Sequence, residues 1–266
     1  MFTDHYPTIK GLILDMDGVL WHGSEPIGDL PAIFASIRAQ GLKFVLATNN
    51  SGSTIPEYQE KLLKLRVQVS PDQILTSAAA TFAYIQENHP TQNTVYIVGS
   101  DSFKKDGKER GFVVLEDEDD STPADFVLVG LDRSITYRKI DIASRKIRNG
   151  AIFIATNTDA TYPMPHGLTP GAGTMVTAIQ TASGRTPLVI GKPERLLYHY
   201  ATRNMALMPE QILCVGDRLD TDILGAQKGG FRSAFVLSGV NNLDDLANWE
   251  PKPDIIVEDL TALIYG

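Results

Sequence analysis

Cysteine is nearly missing: Cys214 stands alone among 266 residues. No intrachain disulfide can form, a thiolate-rich zinc site has too few ligands, and a reducing, cytoplasmic setting is expected. Long hydrophobic runs are missing too. No stretch approaches the roughly 20 apolar residues of a bilayer span, and the opening MFTDHYPTIK has neither the basic nor the apolar part of a secretory leader. No membrane partner is expected. Positive charge is short, with 24 Lys and Arg against 32 Asp and Glu for a net charge of -8. Polyanion binding needs clustered cations that release counterions, so no nucleic-acid partner is expected either. The same acidity means that an anionic ligand would need local positive charge, a cation or converging backbone N–H groups at its site.

What the chain does have is rhythm. Short β-branched runs alternate with longer helical patterns, which predicts an α/β fold with a mostly parallel sheet flanked by helices. Strands are expected at Ile9–Leu14, Lys43–Ala47, Pro187–Ile190, Ile212–Val215, Ser233–Val236 and Asp254–Val257, and these are read as one sheet. Helices are expected at Leu30–Gln40, ending at Gly41, and at Ile55–Arg66. The middle has its own strands, Thr94–Val98, Asp125–Val129 and Ala151–Ala155, with helices near Lys104 and over Tyr137–Arg148. It is read as an insertion over 81–186 between core segments 1–80 and 187–266. The acidic run Glu116–Asp120 is read as a solvated loop, and Thr156–Gly173 as the longest irregular segment and a candidate binding loop.

Ligands of open α/β sheets bind beyond the carboxyl ends of the strands. Those ends run into Asp15-Met16-Asp17-Gly18, Thr48-Asn49-Asn50-Ser51, Gly191-Lys192-Pro193 and Gly216-Asp217-Arg218-Leu219-Asp220-Thr221-Asp222. Carboxylates crowded on one rim repel unless a pKa rises or a hard cation binds, and Mg2+ with oxygen ligands fits best. Asp15 and Asp217 are the candidate ligands, with the backbone carbonyl of Asp17 as a third, and Asp222 supports the metal's waters. Lys192 pairs with Asp15 and with a phosphoryl oxygen, while Thr48 and the N–H of Asn49 donate to the same oxygens. Phosphoryl transfer asks mainly for such positioning and charge neutralisation. Asp15 is the candidate nucleophile, forming an aspartyl-phosphate; Asp17, two residues on, protonates the leaving oxygen and later deprotonates water. Trp21 is read as packing near the site, and Cys214 as a small buried hydrophobe.

As a set these motifs, with Asp15-Met16-Asp17-Gly18-Val19 and Thr181-Ala182-Ser183-Gly184-Arg185, resemble the haloacid dehalogenase superfamily of phosphohydrolases. The closer resemblance is to its NagD-type branch of p-nitrophenyl, phosphoglycolate and pyridoxal phosphatases. It implies a Rossmann-like core with a large α/β cap inserted between the second and third motifs, and it assigns Asp15, Asp17 and Asp217 the roles given above. Asp17 itself favours a phosphatase, since the dehalogenase branch lacks that second acid. The resemblance further implies that the Asn157 and Asp159 elements face the site, with Asn49 and Asn50 from the second motif, and that His166 contacts substrate. Expected, then, is a Mg2+-dependent phosphatase acting on a small phosphorylated metabolite, as a monomer or a homodimer. The rival reading is a phosphate-sensing or scaffold protein on the same fold, like a receiver domain, which needs neither a cap nor Asp17; a phosphomutase lacks a visible second phosphate site.

Overall fold

The computed structural model describes residues 1–164 and 167–266 and divides the chain into two compact units. One comprises 1–48, 55–75 and 192–266; the other comprises 49–54 and 76–191.

In the first unit a six-stranded sheet runs in the order Ile255–Val257, Arg232–Val236, Ile212–Gly216, Gly11–Leu14, Lys43–Thr48, Ile74–Thr76. From Ile255–Val257 through Lys43–Thr48 the neighbouring strands pair parallel. Gly11–Leu14 is buried throughout, as suits an apolar strand covered on both faces. The helix Leu30–Ala39 shows why the local sequence folds as it does. Asp29 accepts from Ala32 N–H at 3.1 Å, Pro31 occupies the first turn, and Gly41 leaves the helix at φ +69°. Its apolar residues Leu30, Ile33, Phe34 and Ile37 repeat at helical spacing and join the core with Leu12, Leu14, Trp21 and Leu213.

The chain leaves Gly11–Leu14 toward Lys43–Thr48 on one side, and Ile212–Gly216 lies on the other. The central strand is therefore a switch point, where diverging connections open a crevice. Register aligns the rim: Leu14 stands opposite both Leu46 and Val215, so Asp15, Thr48 and Asp217 all leave the sheet at one edge.

The second unit has its own parallel sheet, ordered Leu188–Val189, Ile152–Ala155, Phe126–Val129, Thr94–Val98, Val113–Val114. Helices Ser77–Asn88, Asp101–Glu109 and Tyr137–Arg148 begin at Thr76, Ser100 and Thr136, whose hydroxyls accept from the third N–H of each helix. A core of Tyr96, Val98, Val127, Val129, Ile142 and Ile179 fills this unit. Three sequence expectations change here. The strand expected at Pro187–Ile190 pairs with Ile152–Ala155 and not with the first sheet, because an apolar run does not specify its partner. Helix Ser77–Asn88 passes through the boundary expected at residue 80. Within Thr156–Gly173, Thr161–Met164 and Gly167–Pro170 pair antiparallel, a ribbon concealed by its prolines and glycine. The acidic run Glu116–Asp120 is a largely exposed loop, as expected, and it also carries ion pairs: Asp117 with Lys104 and Lys139, and Asp120 with Arg138 and Arg145. Among the described residues no helix is long and apolar enough to cross a membrane.

Candidate active site

Lys192 organises the rim of the first unit. The residue is 3% exposed, and its ammonium lies 2.6 Å from Asp15 Oδ1 and 2.7 Å from Asp222 Oδ1. Burial alone would push this ammonium's pKa down, but Asp15 and Asp222 outweigh it and the pKa rises. Burial pushes the Asp15 carboxyl well above the usual range; Lys192 opposes that shift, while Asp222 and Asp217 add to it. Asp217 goes up to about 7, through burial first and then the charge of Asp222. Lys192 is one cation among three buried or half-buried carboxylates.

Asp15, Asp217 and Asp222 each offer an oxygen within 4.8 Å of the others. Oxygen donors this close and this little exposed, with the Asp15 and Asp217 carboxyls pushed up by burial first and then by neighbouring charge, are a donor set that a hard divalent cation satisfies. Their neighbours shape the set. Asp217 Oδ2 accepts from Val240 N–H at 2.6 Å, and Asp222 Oδ2 from Arg218 N–H at 3.2 Å. Gly18 has φ +82°, and a Cβ there would stand 2.5 Å from Asp217 Oδ2; a Cβ on Gly239 or Gly216 would collide with Asp217 or Asp222 respectively. These glycines leave room for carboxylates. Sequence reasoning misses Gly239 and the Val240 N–H, since nothing in Ser238-Gly239-Val240 marks its approach to Asp217.

Asp17 is half-buried and accepts from the indole N–H of Trp21 at 2.9 Å. Thr48 ends its strand buried.

Chain membership follows from comparison with known proteins. Residues 12–113 match the family model of haloacid dehalogenase-like hydrolases, and residues 189–263 match that of HAD-hydrolase-like proteins. An acid sugar phosphatase of Staphylococcus aureus is 33% identical over 255 residues, covering 96% of each chain. The chain belongs to the haloacid dehalogenase-like hydrolases. Among solved structures, a 4-nitrophenylphosphatase from Thermotoga maritima superposes with a TM-score of 0.90 at 30% identity, covering 97% of each chain. A glycerol phosphate phosphatase from Mycobacterium tuberculosis, in complex with magnesium, gives 0.85 at 32% identity over 96% of this chain and 76% of that one.

The other residues singled out in the sequence of this hydrolase fall in the second unit. Asn49 Nδ2 donates to Asp159 Oδ1 at 2.9 Å, and Asn157 Nδ2 donates to Asn49 O at 2.7 Å. Asn157 Oδ1 accepts from Asp159 N–H at 3.1 Å. The three side chains thus tie the loop after Thr48 to the Ile152–Ala155 strand end. Asn50 Oδ1 accepts from Gly52 N–H at 2.7 Å. His166 lies outside the described residues.

A cleft of about 520 Å³ opens in this second unit, lined by Asn50, Ser53, Ser100, Asp132, Arg133 and Tyr162 among others. The Arg133 guanidinium stands 5.1 Å from the Tyr162 ring centroid. The cleft follows the same rule as the first rim. The chain leaves Thr94–Val98 for Val113–Val114 on one side, and Phe126–Val129 lies on the other, so Gly99–Asp101 and Gly130–Arg133 diverge at a second switch point. The strand-end rule, applied to the middle segment as well, points to Ser100 and Arg133.

Proposed function

We propose that this hydrolase is a Mg2+-dependent phosphatase of small phosphate monoesters, working through an aspartyl-phosphate at Asp15. The observation that carries the reading is the Lys192 bridge from Asp15 to Asp222 with Asp217 beside them. In the first step Asp15 attacks phosphorus, the bond to the leaving oxygen breaks, and Asp17 gives that oxygen its proton. In the second, Asp17 takes a proton from water as the water oxygen bonds phosphorus and Asp15 departs as carboxylate. Asp15, Asp217 and the carbonyl of Asp17 would hold Mg2+, with Asp222 supporting its waters. The ion would neutralise charge on phosphoryl oxygens. Lys192 and Thr48 bind those oxygens and keep Asp15 oriented.

The inserted segment, 81–186 by sequence, supplies substrate choice. Relatives named for sugar phosphate, nitrophenyl phosphate and glycerol phosphate put sugar and polyol phosphates first among substrates to test. The test is a hydrolysis screen of purified protein against those esters, phosphoglycolate, pyridoxal phosphate and nucleotides, ranked by kcat/KM with Mg2+ and repeated after chelation. Turnover that Mg2+ restores is expected. Hydrolysis that survives thorough EDTA treatment would remove the metal from the mechanism, and a panel with no substrate would remove the function.

A further inference from the structure

Trp21 makes a contact that packing does not require. Its indole N–H points at Asp17 Oδ1 over 2.9 Å, while the ring itself is fully buried. An indole N–H can only donate, so the oxygen it meets has to act as acceptor. The carbonyl-type oxygen of a protonated carboxyl is the better acceptor, so this bond favours a proton of Asp17 on Oδ2. Carboxyl torsions are otherwise broad and roughly two-fold, so without this bond either oxygen could face the leaving group.

The ring is in turn held from several sides. Gly18 N–H donates to Trp21 O at 2.9 Å and Leu20 N–H to Met16 O at 2.8 Å, folding residues 16–21 into a tight turn. Trp21 then opens a short ribbon, opposite Pro26. Tyr58 stacks at 6.5 Å between centroids, and the ammonium of Lys61 stands 3.7 Å from the ring centroid. A cation on the π-face draws electron density from the indole and strengthens its N–H as a donor.

We propose that Trp21 is a positioning residue for the proton transfer, fixing the Asp17 carboxyl so that Oδ2 meets the leaving oxygen. This rests on the reading of Asp17 as the general acid. An alkoxide leaving group needs that proton, whereas p-nitrophenolate departs readily as the anion. kcat/KM covers the chemistry up to loss of the leaving group, so the ratio of kcat/KM for an alkyl phosphate to that for p-nitrophenyl phosphate isolates the acid's work.

The experiment measures this ratio for the parent, Trp21→Phe, Asp17→Asn and the double variant. For Trp21→Phe the ratio is expected to fall about ten- to a hundred-fold, as misplacement of a catalytic group does. In the Asp17→Asn background the same substitution should leave the ratio unchanged. Equal losses on both esters, an unchanged ratio, or a further fall in the double variant would overturn the role of Trp21. Replacing the indole by benzothiophene keeps ring volume and removes the N–H, so a ratio that falls there supports the proposal even if Trp21→Phe does not fold; a parental ratio there assigns Trp21 to packing and overturns it. If Asp17→Asn alone leaves the ratio unchanged, the acid assignment fails, separately from the role of Trp21.

Discussion

Replacing Lys192 by Met removes one charge from the centre of the site and keeps most of the side chain's volume. Lys192 is 3% exposed and its ammonium lies 2.6 and 2.7 Å from two carboxylates, so its loss leaves Asp15 and Asp222 buried or half-buried without their cation, beside Asp217. Breaking a buried ion pair costs about 3–5 kcal/mol, a large part of the roughly 5–15 kcal/mol that holds a domain folded. Urea unfolding of the apo protein should shift down by about 2 M, taking an m-value of about 2 kcal/mol per M. Mg2+ should recover much of that loss in Lys192→Met, because a divalent cation supplies the missing charge to the same oxygens. Hydrolysis should not recover with it: losing a donor that steadies charge on the transferring phosphoryl group costs about a hundred- to a thousand-fold in kcat. An apo variant as stable as the parent, or one retaining more than about a tenth of parental kcat, would refute the placement of Lys192 as the counter-charge of the site.

Other perturbations test other parts. Gly239→Ala puts a methyl group into the Asp217 carboxylate, so the Mg2+ concentration for half-maximal activity should rise at least about tenfold, while the protein stays folded by circular dichroism. Unchanged Mg2+ dependence would separate Asp217 from the metal. In the second unit burial pushes the Asp117 carboxyl up, but hydrogen bonds from Lys104 and Lys139 outweigh it and hold its pKa low. A depressed carboxyl stabilises above its unfolded pKa, about 4, and that contribution is lost as pH falls through the folded value. Asp117→Asn should therefore be less stable than the parent at neutral pH and equal to it in strong acid; a difference that persists in acid would count against the ion pairs as its source.

Much of the candidate site is legible in the amino-acid order, for one physical reason. Parallel strands of a single sheet end at the same edge, so Asp15, Thr48 and Asp217 have to emerge together once their strands are recognised. Lys192 reaches the same rim by a different route from the one its sequence suggests. Leu188–Val189 joins the other sheet, and only the turn that follows it delivers Lys192 to Asp15 and Asp222. Strand composition reports burial, and the choice between two buried sheets depends on tertiary packing.

The rest is hidden for specific causes. The paired strands Thr161–Met164 and Gly167–Pro170 carry residues that usually break strands. Trp21 looks like core because it is core, and the direction of one N–H is not written in its identity. Gly239 matters through a neighbour more than 20 residues away in sequence, a proximity that no local pattern encodes.

The covalent step at Asp15 is the centre of the mechanism, and it can be caught directly. Enzyme mixed with substrate and Mg2+ is quenched in acid during turnover, reduced with borohydride, digested and read by peptide mass spectrometry. An acyl phosphate at position 15 is reduced to homoserine, and that conversion is the expected result, absent when substrate is omitted. Turnover with an unmodified Asp15, or homoserine at another aspartate, would contradict Asp15 as the nucleophile.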